Sequence, residues 1–188
     1  MICGLDEAGR GPLAGPVCAA AVVLPKNFPR NLLGDSKALS ETKREAARTA
    51  IMEGALAWGI GWATHEEIDD INILQASLLA MKRAFEAMLT AYPALDTTAL
   101  EAIVDGLYVP AIPIPCKALV KADAQIPEVM AASILAKTAR DREMVRYAAL
   151  YPQYGYEKHK GYPTKAHREA ILRFGPSPIQ RLNFRVKG

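Results

Sequence analysis

The chain is short of cysteine: Cys3, Cys18 and Cys116 are all there are in 188 residues. They are odd in number, widely spaced and form no CxxC pair, so a disulfide framework is excluded and reduced core thiols of a cytosolic protein are expected. No second Cys or His stands at ligand spacing, which argues against zinc. There is no basic segment followed by an apolar one at the N-terminus. The longest apolar run, Val17–Leu24, is too short to cross a bilayer, so neither a signal peptide nor a membrane association is expected. Internal repeats and low-complexity stretches are absent as well. What remains is a soluble globular composition, 51% apolar and 23% charged, long enough to bury one sizeable core.

The formal charge of +3 is unevenly spread. From Lys117 onward there are 14 Lys plus Arg against 6 Asp plus Glu, whereas before it there are 9 against 14. An acidic first part and a basic second part suit a protein that holds metal at one end and phosphates at the other. Ordinary solvated helix faces would look the same from composition alone.

Hydrophobic spacing divides the chain into alternating elements. Met1–Leu5 reads as a short buried strand ending in acid, and Val17–Leu24 as a central strand. Ser40 is a suitable N-cap for a helix over about Glu41–Glu53. Leu56, Trp58, Ile60 and Trp62 alternate, predicting a strand with one buried face. Leu74, Leu78, Met81, Phe85 and Met88 recur at helical spacing over about Asn72–Ala91, with His65 read as a helix-start residue. Ala102–Asp105 and Cys116–Val120 are short strands, and Pro127 opens a helix running to about Leu150. A polar, aromatic and basic loop follows, and Thr164 caps a last helix over about Lys165–Phe174. The order predicts an α/β domain, 1–150, with a mixed central sheet flanked by helices, and a small helical and irregular extension, 151–188.

Three acidic positions end short apolar strands: Asp6-Glu7, Asp105 and Asp123. If those strands are neighbours, the carboxylates meet at one sheet edge. Like charges so placed need a proton or a cation. Oxygen-only ligation suits Mg²⁺ or Mn²⁺, and two such ions roughly 3.5–4 Å apart are the usual machinery for attack of water on a phosphodiester. The same acids could serve as turn formers and caps. Asp6 and Glu7 are adjacent and should point to opposite faces of a strand, so both reach one site only if the strand ends or bulges there.

Gly9-Arg10-Gly11-Pro12-Leu13-Ala14-Gly15 departs from the GxGxxG spacing of a dinucleotide site, and Pro12 and Pro16 prevent the helix that should follow. Glycine permits close backbone approach, so the loop suits contact with a sugar hydroxyl, with Arg10 reaching a phosphate. Tyr154, Tyr156, Lys158, Lys160 and Tyr162 interleave aromatics with bases, a pattern suited to sugar and phosphate contact. Tyr162 is expected to be functional, and Tyr154 or Tyr156 to pack the extension. Lys37 can approach the site or a substrate phosphate. Lys137 and Arg140 share a helix face and either grip the nucleic acid or pair with acids. His159 and His167 are expected to pack or hydrogen bond rather than ligate.

These residues resemble the type 2 ribonucleases H, in a bacterial form. The resemblance is carried by Asp6-Glu7-Ala8-Gly9-Arg10-Gly11-Pro12-Leu13-Ala14-Gly15-Pro16-Val17, then Asp35-Ser36-Lys37, Val104-Asp105-Gly106 and Lys121-Ala122-Asp123. It continues through Ala131–Lys137, Arg140-Asp141, His159-Lys160-Gly161-Tyr162-Pro163-Thr164 and His167, in the family's order along nearly the whole chain. Leu107 and Gln180 depart from it, standing where Asn-like and His residues are common.

The resemblance implies a ribonuclease H-like fold and a metal-binding, catalytic quartet carried by Asp6, Glu7, Asp105 and Asp123. It implies that Gly9, Arg10 and Gly11 sense the ribonucleotide 2′-hydroxyl, and that Tyr162 packs on the neighbouring deoxyribose. The implied activity is endonucleolytic cleavage of the RNA strand of RNA–DNA hybrids and on the 5′ side of ribonucleotides in duplex DNA, leaving 3′-hydroxyl and 5′-phosphate ends. A cytoplasmic monomer using Mg²⁺ or Mn²⁺, with no evident protein partner, is expected. The rivals are another nuclease of the same fold, such as a DNA resolvase, and a nucleic-acid-binding module without catalysis.

Overall fold

The computed structural model describes residues 1–34 and 39–185. Five strands, β1 (Ile2–Ala8), β2 (Val17–Val23), β3 (Ala57–Ala63), β4 (Glu101–Asp105) and β5 (Cys116–Leu119), form one sheet in the order β3-β2-β1-β4-β5. β1 runs antiparallel to β2 and β2 to β3, whereas β1–β4 and β4–β5 are parallel. The sheet is therefore mixed, as the sequence predicts. The parallel half brings the C-terminal ends of β1, β4 and β5 to one edge.

Helices cover both faces. α2 (His65–Ala91) packs with Cys3, Leu5 and the odd-numbered residues of β2 in one apolar cluster. On the other face α1 (Glu41–Gly54) and α3 (Pro127–Leu150) enclose Ala20, Val22, Ile51, Ala131, Ala132 and Ile134. The alternation along β2 is the two-residue period of a strand buried on both sides. Gly4 marks where α3 rests on β1: a Cβ there would lie 2.1 Å from the backbone of Glu128.

Two elements differ from the sequence reading. In β3 the more buried face carries Ala57, Gly59, Gly61 and Ala63, not the large residues. Close helix packing is the reason, since a Cβ on Gly61 would fall 2.2 Å from the Ala80 carbonyl oxygen of α2. α2 begins at His65, the residue read as a helix start, behind a capping box of Thr64 and Glu67, and so is longer than the Asn72–Ala91 span that the apolar spacing marks. Asn72 interrupts it with φ at 69°, and its side chain accepts hydrogen bonds from the N–H groups of Leu74 and Gln75. Asn72 thus caps the second half of the helix, the half that the apolar spacing reveals.

Beyond α3 the chain folds back over it. Short α4 (Tyr156–His159) and α5 (Lys165–Phe174) follow, and Tyr154, Tyr156 and Ile179 pack with Ala14, Met144 and Ala148. The Tyr154 hydroxyl donates to the Gly175 carbonyl, and the Tyr156 hydroxyl is bonded to Ser177 Oγ at 2.5 Å. Both tyrosines are therefore packing residues. Residues 179–181 lie antiparallel to the Gly9–Pro16 loop, joined by Gly15 N–H to the Ile179 carbonyl and Arg181 N–H to the Leu13 carbonyl. Cys3 and Cys18 are buried free thiols, and Cys116 is a partly buried one.

Candidate active site

β1 places Asp6 at the edge where the parallel strands end. β4 pairs with β1 only as far as Leu5, so the Asp6–Ala8 stretch is open on that side. β1 keeps its register with β2 through Ala8, with no bulge. Glu7 nevertheless lines the same cleft as Asp6 and Asp105, although the strand neither ends nor bulges there, the two routes that the sequence reading allowed. The cleft, of about 680 Å³, is also lined by Gly9, Arg10, Gly11, Ser133, Lys137, Lys160 and Tyr162.

Asp123 is placed differently. It sits partly buried in a 3-10 turn, Ala122–Ala124, and does not line the cleft itself. The turn is tied to the site by the Ala122 N–H, which donates to Asp105 Oδ1 at 2.8 Å. Three of the four acids thus share a cleft and the fourth is one residue from a hydrogen bond to it. Among the described residues no group of three already stands close enough to hold one ion. Lys37 lies outside the described residues.

The electrostatics of this edge are unbalanced. Asp6 is buried, and burial, then the charge of Glu7, holds its carboxyl well above the usual carboxylate range, with Asp105 adding to the rise. Glu7 is also raised by burial, against the pull of Arg10, whose guanidinium lies 3.2 Å from Oε1. Its other oxygen, Oε2, is buried without a hydrogen-bond partner among the described residues. An unmatched carboxylate oxygen beside two more carboxylates suits a cation of the hard, oxygen-preferring kind. His159 reaches the cleft, but both ring nitrogens are engaged, one with the Tyr154 carbonyl and the other with the Gly161 N–H. It stacks on His167 with ring centroids 4.5 Å apart. His167 Nε2 is buried without a hydrogen-bond partner among the described residues.

Tyr162, 38% exposed, stands over the glycine loop: a Cβ on Gly11 would be 3.7 Å from its ring. Its N–H donates to the His159 carbonyl, and its own carbonyl is bonded to His167 Nδ1. Of the two bases that share a face of α3, Lys137 pairs with Asp141 at 2.8 Å. Arg140 does neither of the things expected of it. It is buried, and donates to the carbonyls of Pro16, Ala14 and Lys160.

Sequence reasoning missed a second such residue. Arg181 is fully buried, and donates to the carbonyls of Gly9, Arg10, Pro12, Gly15 and Pro16. Burial and the charge of Arg140 press its guanidinium down to about 9, which still leaves it charged at neutral pH. Arg140 carried a signal, because it stands in the row Ala132–Ala136–Arg140–Met144–Ala148 of otherwise apolar residues four apart. Arg181, in an irregular tail, carried none.

Known proteins resemble this chain along nearly its whole length. The sequence profile of the family described as Ribonuclease HII matches residues 3–187. A ribonuclease HII of Treponema denticola is 57% identical over 196 residues, covering 100% of this chain and 99% of that protein. One from Dechloromonas aromatica is 53% identical, covering 98% of this chain and 90% of its own length. Among solved structures, the ribonuclease H2 of Pyrococcus horikoshii OT3 superposes with a TM-score of 0.72 at 27% identity, covering 98% of this chain and 94% of that one. The RNase HII in a complex with PCNA from Archaeoglobus fulgidus shares the fold, with a TM-score of 0.77 at 24% identity over 100% and 96% of the two chains. The chain belongs to the ribonuclease HII family, the endonucleases that cleave the RNA of RNA–DNA hybrids and remove ribonucleotides from DNA.

Proposed function

We propose that the cleft cuts the phosphodiester on the 5′ side of a ribonucleotide in duplex DNA, leaving 3′-hydroxyl and 5′-phosphate ends, with Asp6, Glu7, Asp105 and Asp123 as the cation ligands. The observation that carries the reading is the buried, unpartnered Glu7 Oε2 beside Asp6 and Asp105. The donor set is oxygen throughout, which fits Mg²⁺ or Mn²⁺. When bound, two such ions lower the pKa of a water and offset the charge that gathers on the reacting phosphate.

The protein's own side chains do the rest. Asp6 is held by its bond from the Glu7 N–H, 2.8 Å, and Asp105 by that from Ala122, so neither carboxylate turns freely. Arg10, Lys158 and Lys160 border the cleft and supply positive charge for the phosphates on either side of the cut. Gly9, Arg10 and Gly11 offer backbone to the ribose 2′-hydroxyl, and Tyr162 faces the sugar that follows. Lys37 is assigned to phosphate contact. The extension, 151–188, contributes Tyr162 and so belongs to substrate binding. The protein works as a cytoplasmic monomer, which accords with its free thiols and with the lack, among the described residues, of any helix able to cross a membrane.

The test is a DNA duplex with one ribonucleotide beside an all-DNA control, each with Mg²⁺, Mn²⁺ or chelator. A single cut 5′ to the ribonucleotide, dependent on either ion, is expected. Equal cutting of both duplexes would favour a DNA resolvase-like activity, and binding without product would favour a non-catalytic module.

A further inference from the structure

A guanidinium has five N–H groups, and those of Arg181 meet five carbonyls. Nε bonds Gly15 at 2.8 Å, Nη1 bonds Arg10 at 3.0 Å and Pro12 at 2.8 Å, and Nη2 bonds Gly9 at 2.6 Å and Pro16 at 3.2 Å. One side chain from the tail thus occupies the inside of the whole Gly9–Pro16 loop. Among the described residues no carboxylate forms an ion pair with it; Asp69 acts on it only through its field. A buried charge matched by dipoles alone is a weak device for stability. Its effect is better sought in the shape it imposes.

That shape follows from peptide geometry. Every peptide bond described is trans, so a carbonyl and the next residue's N–H point in opposite directions. With the carbonyls of Gly9 and Arg10 turned to Arg181, the N–H groups of Arg10 and Gly11 are turned away from it. The same rule applied to Pro12 predicts where the Leu13 N–H goes, and it bonds the Gly161 carbonyl at 2.8 Å, next to Tyr162. The side of the loop opposite Arg181 is therefore the cleft side. We propose that Arg181 is a positioning residue that fixes the loop with the Arg10 and Gly11 N–H groups facing the cleft, and thereby sets the preference for a ribonucleotide at the cut. The inference rests on the proposed reading of that loop as the 2′-hydroxyl sensor. Lysine cannot replace Arg181, because an ammonium has three donors and no planar fork.

The test compares wild type with Arg181→Lys on two duplexes, one with a single ribonucleotide and one with a 2′-fluoro nucleotide at the same place. Mn²⁺ affinity is measured by calorimetry and melting by differential scanning, with assays run well below the variant's transition. The variant is expected to keep Mn²⁺ affinity within about two-fold, lose about ten-fold or more in kcat on the ribonucleotide with little change in KM, and lose its preference over the 2′-fluoro duplex by a similar factor. Unchanged preference, or equal losses on both duplexes, would overturn the proposal, because a role confined to folding lowers both rates together. If Arg181→Lys does not fold, Asp69→Ala decides by the same ratio. The Asp69 carboxylate anchors the tail through the N–H groups of Leu182 at 2.9 Å and Asn183 at 3.0 Å, so its loss loosens Arg181 without removing it. A wild-type enzyme cutting both duplexes alike would instead refute the loop reading itself.

Discussion

Replacing Asp6 by Asn should stabilise the cation-free protein while abolishing cleavage. Asp6 is only 5% exposed and is crowded by Glu7 and Asp105. Two unit charges about 5 Å apart at an effective permittivity of about 20 repel by about 3 kcal/mol. Uptake of a proton relieves part of this, so the isosteric amide should gain about 1–3 kcal/mol near neutrality. Asn keeps an oxygen for the Glu7 N–H and turns donors toward the remaining acids. At about 2–4 °C per kcal/mol for a domain of this size, the melting temperature should rise roughly 2–10 °C. The sign with pH is fixed by linkage. The folded Asp6 carboxyl is raised above its unfolded value, so between the two the folded state binds more protons and wild-type stability falls as pH rises. The advantage of the variant should therefore vanish near about pH 4, the range of an unfolded carboxyl, and grow as the pH rises from there. Added Mn²⁺ should reverse the order, stabilising wild type and hardly affecting the variant. Scanning calorimetry of both proteins in chelator and in Mn²⁺ reads all of this. A variant that melts below wild type in chelator at the alkaline end, or a gap indifferent to pH, would refute the crowded-carboxylate argument.

Gln180→Met should raise the melting temperature, because both amide atoms of the buried Gln180 lack a partner among the described residues; removing them should gain about 1 kcal/mol by denaturant titration. Tyr162→Ala should lower kcat/KM on the single-ribonucleotide duplex about ten-fold, with Tyr162→Phe close to wild type, since loss of one stacking ring is worth about 1–3 kcal/mol; equal losses in both variants would shift the role to the hydroxyl. Gly61→Ala should destabilise by about 1–3 kcal/mol in chemical denaturation, because its Cβ would meet the α2 backbone at 2.2 Å, yet leave the rate of the folded fraction unchanged.

The end of β4 at Asp105, the glycine loop and the caps were legible because each is local, whereas β1 runs on past Asp6 and Glu7 to Ala8 and Asp123 stands in a 3-10 turn rather than at a strand end. Ser40 accepts from the Lys43 N–H and Thr164 from that of His167, where a short polar side chain ahead of a helix announced them. Asp6, Glu7 and Asp105 could be placed together once β1 and β4 were guessed to be neighbours, and the parallel pairing joins them. Interactions between one side chain and distant backbone were not legible. The small face of β3 depends on how near α2 comes, and no periodicity encodes an interhelix distance. His65 was legible as a helix start, but the turns from there to Asn72 show no apolar spacing, because Glu66, Glu67, Asp69 and Asp70 leave only Ile68 as a buried anchor. Arg181 looks like a solvated tail charge until its acceptors, all contributed by residues 9–16, are in view.

Gly15 and Arg181 are separated by 166 positions. A ribosome adding about 5–20 residues per second needs roughly ten to thirty seconds to travel between them. A nascent chain therefore displays the acids of its first strand long before the guanidinium that orders the neighbouring loop has been synthesised. The bonds that close the Gly9–Pro16 loop thus form only once nearly the whole chain has been made.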